Sequence, residues 1–298
     1  MELRELRYFL AVAQEQNITK AAEYLYITQP SLSKQMQNLE KEIGRPLFIR
    51  GNRKILLTEA GMLLKKRAEE LLALYEKTEA ELSAPLEEVQ GEVFIGCGES
   101  HAVQTVAHAA KTVQRNYPGI RFNFFSGDAS DVVEKLDRGL IDFGVLLDYA
   151  GLSDYHSLRL PHTDTWGILM RRDSPLAAKP FITLDDIRHE NLLCSKQSLS
   201  KGRLVYEWFG ADVGRLNLRA TYNLVYNASL LVREGMGCAL CLDKLINTSG
   251  DCDLCFRPLY PKVETHLDVA WKKYAVFSKP AEIFLNTLRE SVHPREGE

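Results

Sequence analysis

The chain is 298 residues long, room for about two domains at roughly 100–200 residues each. Hydrophobic residues make up 45% and charged residues 26%, a balance that excludes an intrinsically disordered chain; no run reaches the roughly 18 apolar residues of a membrane-crossing helix. The net charge of -3 is uneven: residues 1–58 carry nine Lys/Arg against six Glu, and residues 59–90 carry four against eight acidic residues. A basic N-terminal segment on a mildly acidic body points towards nucleic acid. The start, Met1-Glu2-Leu3-Arg4-Glu5-Leu6, lacks the basic-then-apolar pattern of a secretory signal. The expectation is a soluble, cytoplasmic protein whose six cysteines are reduced thiols.

Three helical patterns open the chain. Leu6, Phe9, Leu10 and Ala13 repeat on one helix face, as do Ile18, Ala21, Ala22 and Leu25, and then Leu32, Met36, Leu39 and Ile43. Asn17 is placed to cap the second helix and Thr28 the third, Pro30 fits a first turn, and Gly44 is a natural stop. Helices two and three, joined by Tyr26-Ile27-Thr28, form a helix-turn-helix over about 18–37. The third begins polar: Gln29, Ser31, Ser33, Lys34, Gln37, Asn38 and Lys41 share its outer face. Short hydrogen-bonding side chains for base edges and cations for phosphates are what a major-groove helix needs. A polar face also suits an ordinary helical bundle. Two short apolar runs follow, 46–50 and 54–58, around the turn Gly51-Asn52-Arg53. This is a basic-tipped wing, with Arg50, Arg53 and Lys54 directed to the DNA backbone or minor groove.

These residues carry a specific resemblance. The runs Asn17-Ile18-Thr19-Lys20-Ala21-Ala22-Glu23, Thr28-Gln29-Pro30-Ser31-Leu32-Ser33, Leu39-Glu40, Gly44-Arg45-Pro46-Leu47-Phe48 and Leu57-Thr58-Glu59-Ala60-Gly61 resemble the LysR-type transcriptional regulators. Tyr24-Leu25-Tyr26 is more aromatic than usual for them. The resemblance implies an α+β protein. Its parts are a winged helix-turn-helix (1–58), a linker and dimerisation helix (59–90), and a two-lobed, periplasmic-binding-protein-like α/β effector domain (91–298). It further implies a homodimer or homotetramer on promoter DNA, a small-molecule effector between the lobes, and contact with RNA polymerase. Gln29, Pro30, Ser31, Ser33, Lys34 and Gln37 would then stand at the major groove.

From Glu59 to about Glu88 one long helix is expected. Leu64, Ala68, Leu71, Tyr75, Thr78 and Leu82 alternate steps of four and three, a seam for a partner helix. Pro85 and Gly91 mark its end. Beyond, strands at 92–96, 120–125, 140–147, 166–171, 191–194, 216–220, 238–242 and 267–271 alternate with helices at about 101–116, 131–138, 204–209, 223–234 and 281–290. That alternation implies an α/β fold with a largely parallel sheet. By analogy with the family, lobe I covers about 91–161 with 268–298, and lobe II about 162–267.

Ligands of such sheets sit at the carboxyl ends of the strands. That rule selects Glu99, Ser100 and His101 after the first strand, Asp128 after the second and Asp148 after the third. In lobe II it selects Ser195 and Ser198, then Asn223 beside Tyr222. The helix start behind Ser100 favours an anion, whereas Glu99 favours a cationic or amphoteric group.

Two other patterns compete. Gly98-Glu99-Ser100-His101-Ala102 nearly matches a hydrolase nucleophile elbow, with Asp148 and His162 or His266 available for a triad. Its last glycine is replaced by Ala102. Cys238/Cys241 and Cys252/Cys255 are two CxxC pairs able in principle to hold zinc, but ten residues is a short separation for a ribbon, and both read as buried strands. The expectation is therefore a regulator with no catalytic residue, no metal and no cofactor.

Overall fold

The computed structural model describes residues 1–50, 54–83, 89–199 and 204–293. The chain divides into two compact units, Met1–Ser83 and Ala84–Glu298.

In the first unit, α1 (Leu3–Glu15), α2 (Ile18–Tyr24) and α3 (Gln29–Ile43) precede a hairpin of β1 (Phe48–Arg50) and β2 (Ile55–Leu57), then α4 (Glu59–Ser83). Asn17 caps α2, accepting from the Thr19 and Lys20 N–H groups at 2.9 and 3.1 Å. Gly44 ends α3 at φ +74°, where a side chain would be strained. Thr28 precedes α3 without a side-chain cap bond, and Pro30 lies in the first turn. The buried faces are Leu6, Phe9 and Val12, then Ala21 and Ala22, then Leu32, Met36 and Leu39. On α1, Val12 and Ala11 are buried where Leu10 and Ala13 were expected, and those two are only half-buried. The cause is that α1 packs on two sides, Phe9 and Val12 towards α2 and α3, Leu6 towards α4.

Glu40 ties α3 to the hairpin. Its carboxylate accepts the Leu47 and Phe48 N–H groups at 2.8 and 3.1 Å. Thr58 donates to the Pro46 carbonyl at 2.8 Å and accepts from Gly61 N–H at 3.0 Å, capping α4. Gly61 must be glycine, because a Cβ there would lie 2.1 Å from the Leu47 carbonyl oxygen.

The second unit is built on a nine-stranded sheet. Its first half holds β3 (Gly91–Cys97), β4 (Ile120–Ser126) and β5 (Phe143–Leu147), mutually parallel. β11 (Glu264–Lys272) returns antiparallel to β5. Helices α5 (Val103–Asn116) and α10 (Lys279–Val292) share one core cluster with these strands. Helix α6 (Ala129–Asp137) contributes to another cluster around Val132 and Leu136. The second half holds β7 (Leu192–Ser195) and β8 (Leu218–Tyr222), parallel to one another, and β9 (Cys238–Leu242), parallel to β7. β10 (Leu254–Pro258) completes it. Three helices accompany that half: α7 (Leu184–Ile187), α8 (Leu204–Phe209) and α9 (Val225–Arg233).

The halves share one strand. β6 spans 17 residues, Tyr155–Arg171. Its first part, to Thr165, pairs with β11. From Trp166 onward it pairs with β9, and over Gly167–Arg171 with β10. The sequence reading recognised only 166–171. The earlier part alternates irregularly, holds Pro161, and buries only Leu160 and Asp164, so no apolar run marks it. β5 starts three residues later than expected, because Asp142 turns back onto Phe94, accepting its N–H at 2.8 Å.

Candidate functional site

On α3, two faces are held apart by the core. Leu32, Met36 and Leu39 are fully buried, which turns Gln29, Pro30, Ser31, Lys34 and Gln37 to solvent, with Ser33 half-buried at the edge. Asn38 and Lys41 continue the exposed polar face. The hairpin pairs Phe48 with Leu57, Ile49 with Leu56 and Arg50 with Ile55. Phe48 is buried against Phe9 with ring centroids 5.2 Å apart, so the hairpin is anchored to the helices. Lys54 is exposed at its tip, Arg50 ends β1, and Arg53 lies outside the described residues. The turn before α3 adds Tyr26, a 95% exposed side chain on a left-handed backbone at φ +56°.

α4 divides its apolar residues between two stripes. Ala68 and Leu72, with half-buried Leu64, pack against Leu6 of α1. This corrects the expected seam, since Leu64 and Ala68 belong to the unit's own core. Leu71, Tyr75, Thr78 and Leu82 remain exposed, joined by Leu63 and Leu74. The Arg7 guanidinium lies 5.8 Å from the Tyr75 ring centre. Positions 84–88 of the expected helix lie outside the described residues.

In the second unit a cavity of about 100 Å³ opens at the carboxyl ends of β3, β4, β5, β7 and β8. Glu99, Asp128, Asp148, Ser195, Ser198 and Asn223, all selected from the sequence, line it. Ser100 and His101 do not. The Ser100 hydroxyl donates to the Asp164 carboxylate and accepts from Ala102 N–H at 3.0 Å, while the His101 side chain is exposed. The strand-to-helix turn thus resembles a nucleophile elbow in sequence only, for the serine's partner is a carboxylate and not an imidazole.

Each carboxylate at the cavity has a defined anchor. Glu99 accepts the N–H of Val225, the first residue of α9. Burial holds its pKa above the ordinary value, and that N–H offsets only part of the rise. Asp128 caps α6 through the Ser130 and Asp131 N–H groups at 2.9 and 3.0 Å. Burial pushes its carboxyl up, but bonds from Ser130, Asp131 and Gln197 outweigh it and the net shift is downward. Asp148, on a left-handed backbone at φ +37°, accepts the Thr265 hydroxyl and the His266 N–H, the latter at 3.3 Å. Asp164, 5% exposed, has its pKa raised by burial, opposed by the Ser100 hydroxyl, the His101 charge and the Ala102 N–H.

Two of the cavity hydroxyls are already committed. Ser198 donates to the Ser195 carbonyl at 2.8 Å, and Tyr222 to the Leu240 carbonyl at 2.5 Å. Sequence reasoning did not select Thr265, Leu242 and Leu245, which also line the wall. They lie on strands or connections remote in sequence from any strand-to-helix turn, so no local pattern marks them.

The cysteines separate as strand geometry requires. Cys238 packs with Cys194 and Cys255 in one core cluster, whereas Cys241 lies in another that Cys252 borders. Burial raises the Cys194 and Cys238 thiols to about 12. Among the described residues no three His, Cys, Asp or Glu are grouped to hold a metal ion. No helix among them is long and apolar enough to cross a membrane.

Comparison with known proteins gives these surfaces a context. Residues 3–62 match the family model "Bacterial regulatory helix-turn-helix protein, lysR family", and residues 86–292 match "LysR substrate binding domain". The chain is 31% identical over 280 residues to the Hca operon transcriptional activator HcaR of Escherichia coli strain K12, covering 92% of each. It is 28% identical over 285 residues to the HTH-type transcriptional regulator YybE of Bacillus subtilis strain 168, covering 95% of this chain and 97% of that one. Its fold resembles that of full-length CbnR complexed with its target DNA, with a TM-score of 0.77 at 20% identity, over 98% of this chain and all of the other. The chain belongs to the LysR family of DNA-binding transcriptional regulators, which are not enzymes.

Proposed function

We infer that this regulator reads a pseudo-palindromic promoter site with Gln29, Pro30, Ser31, Ser33, Lys34 and Gln37 of α3 in the major groove. Arg50, Arg53 and Lys54 hold the wing on the sugar-phosphate backbone. The observation that carries this reading is the division of α3. Its apolar stripe is locked in the core, so its orientation is fixed while its polar stripe stays open, and preorganised groups lose little freedom on docking. The working parts are the head at 1–58, the linker at 59–90 and the effector domain at 91–298, with lobes at about 91–161 plus 268–298 and about 162–267. The exposed stripe of α4 pairs copies of the chain into a homodimer and then a homotetramer, as an a/d seam does. The assembly acts in the cytoplasm on promoter DNA and contacts RNA polymerase.

A small molecule in the cavity between the lobes favours one relative angle of the two, and through the tetramer one geometry of the DNA. Glu99, Asp128, Asp148, Ser195, Ser198 and Asn223 are its nearest groups, with Ser100 and His101 outside the wall, Ser100 bonded to Asp164. The test is capture of genomic fragments on the purified protein, followed by footprinting. Half-sites separated by a helical turn are expected. No enrichment even at low salt overturns the reading.

A further inference from the structure

The cavity is unusual in how it treats negative charge. Helices α6 and α9 begin at it, with Asp128, Ala129, Asn223 and Val225 in its wall. A helix start offers unpaired N–H groups and a positive dipole end, the customary seat of an anionic ligand. Here the chain has seated its own carboxylates at both. Asp128 caps α6, and Glu99 accepts from the first N–H of α9. A carboxylate effector entering the cavity therefore meets Glu99, Asp128 and Asp148, which line it from three separate loops. Lys196 is the one basic side chain among the described residues lining it, so the wall is net acidic. The remainder is apolar and aromatic, including Leu147, Leu245 and Trp166.

We propose that the effector is a small organic ammonium ion, its cationic head among the three carboxylates and its compact apolar body against Leu147, Leu245 and Trp166. The indole ring adds the attraction of its face for a cation. A volume of about 100 Å³ is below the roughly 150 Å³ cavity that accepts benzene, which limits the body to a short or branched alkyl group. This assignment rests on the reading that the cavity is the effector site.

The experiment compares three probes of one shape on the full-length protein: isoamylamine, isoamyl alcohol and 4-methylpentanoate. Thermal shift and titration calorimetry are run on the wild type, Glu99→Gln and Leu245→Trp. The amide of Glu99→Gln keeps an oxygen for Val225 N–H and removes only the charge; the indole of Leu245→Trp fills the cavity. The amine is expected to raise the melting temperature saturably and to lose about tenfold in affinity in Glu99→Gln. It should lose its effect altogether in Leu245→Trp, with the alcohol weaker and the carboxylate inert throughout. Binding of the carboxylate in preference to the amine, abolished by Leu245→Trp, overturns the ligand class and leaves the cavity as the effector site. Amine binding that Leu245→Trp does not change overturns the site itself. Amine binding unaffected by Glu99→Gln, or no response to the amine in the wild type, overturns the proposed recognition.

Discussion

Lys34 and Lys54 are exposed cations on the two elements assigned to DNA, yet they do different work. Lys34 shares the polar side of α3 with Ser31 and Ser33, and on the proposed reading its loss removes a contact within the groove. Lys34→Ala is expected to weaken operator binding by about tenfold or more in a gel-shift titration; unchanged affinity would remove α3 from the interface. Lys54 follows the wing turn, and the proposed reading sets it on the sugar-phosphate backbone. Lys54→Ala is expected to lower binding to all sequences alike and to reduce the slope of log K against log salt by about one. Asp164 makes a separate prediction. Its pKa lies above the ordinary carboxylate value of 3.8, so the folded chain holds a proton that the unfolded chain has released. Stability from this group therefore falls as pH rises through the interval between the two values. Urea unfolding of the wild type relative to Asp164→Asn should show the wild type losing ground as pH climbs from about 3.8, and a pH-independent difference would show that Asp164 titrates normally.

At the scale of the element, α4 carries the clearest unfinished business. One stripe, Leu64, Ala68 and Leu72, is spent on α1. The adjacent stripe leaves Leu71, Leu74 and Leu82 at 45%, 40% and 82% exposure. Each leucine transferred from water to an apolar interface contributes roughly 1.5–3 kcal/mol, which is the driving force the proposed pairing of copies would use. Leu74→Asp puts a charge into that seam without touching the α1 contact. It is expected to shift the protein to monomer in sedimentation equilibrium while the helical content seen by circular dichroism stays unchanged. An unaltered oligomeric state would place the self-association surface elsewhere.

For the whole molecule, legibility follows the range of the interactions. The head was readable almost residue by residue because its rules are local: Asn17 caps, Gly44 stops, and Leu32, Met36 and Leu39 repeat at helical spacing. The strand ends of the effector domain were readable for the same reason, and six of the eight residues chosen there meet at one cavity. What escaped was set by distant partners. Tyr155 to Thr165 becomes a strand only because β11, about a hundred residues later, lies beside it. The two roles of α4's leucines depend on where α1 packs. Ser100 was assigned to a ligand by its local turn, while its hydroxyl is drawn to Asp164, 64 residues away. Thr265 joins the cavity through Asp148, 117 residues away.

β6 has a mechanical consequence. It crosses from one half of the sheet to the other as 17 consecutive strand residues, with ladder bonds to β11 before Trp166 and to β9 and β10 after it. The ladder to β11 shifts register between His266 and Asp268, opposite the segment Leu160–His162 that holds Pro161, and a bulge of this kind bends a strand locally. That break is the one interruption in the β6–β11 ladder, so if an effector changes the angle between the halves, as the proposed function requires, the local freedom to accommodate it lies at Leu160–His162 and not along the rest of the strand.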